Sequence, residues 1–84
     1  MSEPVIVRDK FILGGRPTFR GTRVQVEILF ENLAGGYSLD EIIENFPTLN
    51  RSDLEKALLD ACELVKKSAP EVAESPEQPL ALVP

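Results

Sequence analysis

Three arginines, Arg16, Arg20 and Arg23, fall within eight positions of one another in a stretch framed by Gly14, Gly15, Pro17 and Gly21. A guanidinium presents a planar fork of donors that matches phosphate, and a loop stiffened by proline and glycine loses less entropy on binding than a floppy arm. A second group, Arg51, Ser52 and Lys56, stands at the start of a helical pattern. There Arg51 suits a guanine edge, while Ser52 and Lys56 suit phosphates. Both groups therefore read as candidate DNA contacts. Each also has a plainer reading. The second group is equally a solvated helix surface, with Glu55 close by and of the wrong sign for DNA. In the first group Arg20 or Arg23 can pin the loop to the body through Glu27 or another helix carboxylate. For Arg23 that internal pair is the expected role, because Glu27 lies four residues on near a helix start.

Other chemistry is thinly represented. The sequence has no histidine and one cysteine, Cys62. Missing histidine removes the commonest general base and the usual serine or cysteine nucleophile pairings. One thiol makes neither an internal disulfide nor an ordinary zinc site. The remaining catalytic option is paired carboxylates, drawn from Asp40, Glu41, Glu44, Asp53, Glu55, Asp60 and Glu63. On helices these are the normal polar covering. The glycines at 14, 15 and 21 lack both the Gly-Lys-Ser/Thr end of a phosphate loop and the Gly-x-Gly-x-x-Gly of a dinucleotide fold. The expectation is a non-enzyme with no metal and no cofactor.

Charge is unevenly spread along the 84 residues, whose net value is -5. Residues 1–23 carry five basic side chains against two acidic ones, whereas residues 24–68 carry four against nine. Glu71, Glu74 and Glu77 then stand unopposed. A basic front and an acidic middle and tail suit a molecule with two partners, one bearing phosphates and one a basic protein, although ordinary solubility charge reads the same way. The absence of a long apolar run or a basic, apolar leader points to a cytoplasmic protein that does not enter a membrane.

These residues must be held by a small scaffold. Val5–Val7 and Phe11–Leu13 read as brief extended segments around a turn. Residues 16–23 read as an ordered loop or short hairpin, for which Gly14, Gly15, Pro17, Gly21 and Thr22 form the structural motif. From Val24 the period changes. Val26, Leu29, Phe30 and Leu33 make one helical stripe over roughly 25–34, stopped by Gly35 and Gly36. Ser38 with Glu41 makes a capping box for a second helix carrying Leu39, Ile42, Ile43 and Phe46, which Pro47 ends. Asn50 caps a third helix, lined by Leu54, Ala57, Leu58, Ala61, Cys62 and Val65 and closed by Lys66 and Lys67. Cys62 is expected in the core, and Tyr37 is expected to pack with its hydroxyl toward water. The fold class is thus mainly α: a three-helix, helix-turn-helix-like domain at 1–68 with a short N-terminal β element, followed by an acidic, proline-rich and disordered C-terminal tail at 69–84.

The run Gly14-Gly15-Arg16-Pro17-Thr18-Phe19-Arg20-Gly21-Thr22-Arg23 resembles the signature of a family of small prokaryotic domains known as domain-of-unknown-function family 433, whose members look like VapB-type antitoxins. Matching pieces continue through Gly36-Tyr37-Ser38, Leu39–Ile43, Phe46-Pro47-Thr48-Leu49 and Asp53–Leu58, so the likeness covers about residues 5 to 65. It implies a helix-turn-helix-like fold, operator DNA bound by a homodimer, and a cognate PIN-like nuclease toxin as protein partner. On this reading Leu80, Leu82 and Val83, at the end of an acidic tether, are the toxin-binding residues. An incidental terminus is the plainer alternative for that segment. For the whole chain, the alternative is a protein-interaction adaptor that never touches nucleic acid.

Overall fold

The computed structural model describes residues 3–72, so the expected disorder of the distal tail, and with it Leu80, Leu82 and Val83, lies outside the described residues. Two strands and three helices follow in order: β1 (Ile6–Val7), β2 (Thr18–Phe19), α1 (Glu27–Ala34), α2 (Leu39–Asn45) and α3 (Arg51–Ser68). The architecture is mainly helical with a short N-terminal β element.

The strands pair antiparallel, with Ile6 opposite Phe19 and Val7 opposite Thr18. The partner of β1 is therefore not the Phe11–Leu13 run. Asp9 captures that segment, its side chain accepting from the Phe11 amide at 2.9 Å and its carbonyl from the Ile12 amide at 2.8 Å. A short polar side chain bonding to nearby backbone competes with a strand ladder. The chain turns instead through a short 3-10 segment, Leu13–Gly15, where Gly14 and Gly15 take φ of 66° and 88°. Phe11 is left 82% exposed.

Each helix begins and ends where local chemistry dictates. Helix α1 starts at Glu27, two residues later than the expected start near 25, because Gln25 still bridges to Thr18 in the sheet. It ends in a Schellman motif: the Tyr37 amide donates to the Asn32 carbonyl and the Gly36 amide to that of Leu33, each at 3.0 Å, with Gly36 at φ 97°. Helix α2 carries the full Ser38–Glu41 capping box, and Asn50 caps α3 by accepting from the Asp53 amide at 2.9 Å.

The core is Val5, Phe19, Leu29, Ile42, Leu49, Leu54 and Ala57, so the hairpin and all three helices share it. Helix α3 enters this core only with its first half. At 1.5 Å per residue it is about 27 Å long, while α1 and α2 run to only about 12 and 10 Å, too short to cover it. Beyond Leu58 the stripe therefore comes out into solvent. Cys62 and Val65, expected inside, are exposed, as are Leu59 and Leu64. Tyr37 is half exposed.

Candidate nucleic-acid interface and an apolar groove

The arginine-bearing hairpin is a braced unit. The Thr22 amide donates to the Phe19 carbonyl at 3.0 Å, closing a turn with Gly21 at φ 79°, the backbone that the second central position of a type II turn requires. The Thr22 hydroxyl donates to the same carbonyl at 2.8 Å and accepts from the Val24 amide at 3.0 Å. Outside the turn, Phe19 bonds to Val24 at 2.9 Å and the Val26 amide to the Pro17 carbonyl at 3.0 Å, which ties the hairpin to the start of α1. Thr22 is thus the pin of its own loop, and Phe19, 1% exposed, anchors the hairpin in the core.

From this base Arg16, Arg20 and Arg23 all stand exposed. Arg16 reaches Gln25 Oε1 at 3.4 Å. Arg20 donates to the Pro4 carbonyl and pairs with Glu3 at 3.4 Å, which fastens the N-terminal arm. The internal Arg23–Glu27 pair expected from spacing does not form, and among the described residues Arg23 makes no ion pair. None of the three arginines is engaged by a carboxylate of the helical body.

The start of α3 differs. Arg51 pairs with Asp40 of α2 at 2.7 Å and with Glu55 at 3.1 Å, bridging α2 to α3. Ser52 donates to Asn50 Oδ1 at 3.0 Å and so belongs to the capping network. Lys56 pairs with Asp60 at 3.3 Å. The structure thus brings these three residues together at one helix end, but each has a partner, and two carboxylates flank Arg51. Exposed pairs of this kind contribute about 1 kcal/mol or less, so they hold the side chains only weakly.

Sequence reasoning did not single out a third feature. An apolar groove of about 310 Å³ runs between the N-terminal arm, α1 and α3, lined by Pro4, Ile6, Val26, Phe30, Ala57, Asp60, Ala61 and Leu64. Its signal was present in the α3 stripe, which continues for two turns beyond what the shorter helices can cover. Among the described residues no group of histidine, cysteine, aspartate or glutamate is arranged to hold a metal, and no helix is long and apolar enough to cross a membrane.

The braced Gly-Gly-Arg-Pro to Gly-Thr-Arg hairpin and the helices behind it fall inside residues 6–59, which match the model of a family described as protein of unknown function, DUF433. The chain belongs to the DUF433 family. Over 57 residues the chain is 33% identical to an uncharacterized protein, y4eO, of Sinorhizobium fredii; the match covers 68% of this chain but only 26% of that relative's length. No solved structure matches the chain. The DUF433 match takes in the hairpin, all of α1 and α2 and the buried half of α3, and it stops at Leu59, where α3 leaves the core.

Proposed function

We propose that this DUF433 chain is the antitoxin of a type II toxin–antitoxin system, a cytoplasmic homodimer that neutralises a PIN-like nuclease toxin and binds operator DNA as autorepressor. The observation that carries the reading is the arginine-bearing hairpin. Arg16, Arg20 and Arg23 project from a turn braced by Thr22 and buried through Phe19, and no body carboxylate neutralises them. Guanidinium groups on a braced loop favour phosphate, since little entropy is lost in placing them, and of the three only Arg20 has a carboxylate partner among the described residues, Glu3 of the N-terminal arm. Phosphate contacts then set the register of the domain on the duplex, and Arg51 exchanges its exposed partners for a base edge. The acidic tail, with Glu71, Glu74 and Glu77 ahead of Leu80, Leu82 and Val83, suits the basic RNA-binding surface of a nuclease.

The test is a gel shift on the DNA upstream of the chain's own reading frame, as a function of salt. Replacing Arg16 and Arg23 by alanine is expected to lower affinity and to reduce the slope against log salt by about 2, roughly one per lost phosphate contact. An unchanged slope removes the hairpin as the phosphate grip. In parallel, ending the chain at Ser68 is expected to abolish neutralisation of the adjacent toxin while sparing DNA binding.

A second reading, an adaptor that binds only protein, is favoured by the carboxylates around Arg51 and Lys56. Binding to a neighbouring gene product without any DNA shift at low salt selects it.

A further inference from the structure

The groove and the exposed half of α3 lie outside the hairpin and outside the cap of α3, and the reading above invokes a homodimer without giving them a part in it. Along α3 the residues Leu54, Ala57, Ala61, Leu64 and Ser68 recur at alternating spacings of three and four, the seam of a two-helix coil, with Leu58 and Val65 on one flank and Asp60 and Lys67 on the other. The body covers the seam only as far as Ala57, which is 3% exposed, whereas Leu64 is 67% exposed. Ala57, Asp60, Ala61 and Leu64 form the α3 wall of the groove, opposite Val26 and Phe30 of the α1 side.

We propose that a second copy of this chain lays its α3 antiparallel in this groove, with Ala61 of each copy facing Leu64 of the other and Asp60 of each facing Lys67 of the other. The segment is complementary to its own reversal. Small faces large at Ala61 and Leu64, and small faces small where Ser68 of one copy meets Ala57 at the edge of the other body. Leu58 meets Val65 on one flank. On the groove side two opposite-charge pairs form, one at each end, because a two-fold axis makes every contact twice.

Charge decides both the occupant and the direction. Among the described residues Lys67 has no ion-pair partner, whereas Lys66 is already paired with Glu63 at 3.5 Å; Asp60 is held by Lys56 of its own helix at 3.3 Å, an exposed i,i+4 pair of small worth that a second lysine can join or replace. A parallel arrangement sets Asp60 against Val65 and leaves Lys67 without its acid. The chain's own tail is the wrong sign for the groove, whose one charged wall residue is Asp60, since Glu71, Glu74 and Glu77 would have to approach it. A second copy brings lysine to that aspartate. The interface is small, so the dimer is weak and reversible in dilute solution.

The proposal rests on the reading above in one respect, the homodimer, which it places on α3; it is tested without DNA or toxin, whereas operator binding and neutralisation are read in the gel shift and the toxin assay, so the two failures are distinguishable. Sedimentation velocity of the full chain over a wide concentration range is expected to show a reversible dimer. Leu64→Asp places a charge at two sites of the seam and should raise the dissociation constant about a hundredfold or more. Asp60→Lys and Lys67→Asp should each raise it about tenfold, and the double exchange D60K/K67D should return it to within about threefold of the parent. These positions are exposed, so circular dichroism melts should stay close to those of the parent. Leu80→Asp with Leu82→Asp should leave the dimer unchanged. A parent chain that stays monomeric throughout, an L64D chain that still dimerises, a double exchange no better than either single one, or tighter dimerisation on altering Leu80 and Leu82 each overturns the proposal. The last outcome would assign the groove to the tail.

Discussion

The two halves of α3 carry the same kind of stripe and meet opposite fates. Leu54 and Leu64 lie ten residues apart on one seam, yet the first is fully buried against α1, α2 and the hairpin while the second is largely in water. Residue type and periodicity are the same in both halves, and the difference is made by the length of the neighbours. A helix stripe reports that something will be covered, and the reach of the adjacent elements decides whether the cover comes from the same chain.

The contrast is broken most directly at its buried end. Leu54→Ala should cost about 3 kcal/mol, within the usual range for a core leucine that leaves a cavity, read as a lowered urea midpoint with unchanged slope. A loss below about 1 kcal/mol would mean that the first half of α3 is no better packed than the second. Asn50→Ala, which removes the cap and frees the Asp53 amide, should cost about 1 kcal/mol in the same measurement. A cost equal to that of Leu54→Ala would shift the anchoring of α3 from packing to its cap. Smallest of all, Leu64→Ala should alter stability by less than about 0.5 kcal/mol in dilute solution, because its side chain meets little of its own subunit. A larger loss at low concentration would place Leu64 inside the monomer core after all.

The arginines divide in a similar way. Arg51 sits among carboxylates of two helices, while Arg16 and Arg23 meet none among the described residues. Nothing in the local sequence separates these cases cleanly. Glu27, four residues after Arg23, suggested a pair that the structure lacks, and Asp40, eleven residues before Arg51, was not a visible partner until α2 packed on α3. The candidate site was therefore legible as a set of residue types on a braced hairpin, but its electrostatics were not.

What could be read from the chain alone was governed by bonds spanning at most five residues: the Ser38–Glu41 box, the Asn50 cap, the Gly36 stop, the break at Pro47 and the turn that Gly21 permits. These depend on backbone sterics and nearby side chains, which travel with the sequence wherever it folds. Tertiary structure alone decided that Thr18–Phe19 becomes the strand beside β1, once the local Asp9 turn has withdrawn Phe11–Leu13, that Cys62 and Val65 face water, and that a groove opens between Phe30 and Leu64. Each of those outcomes turns on how segments remote in sequence meet, a matter of packing that no local pattern encodes.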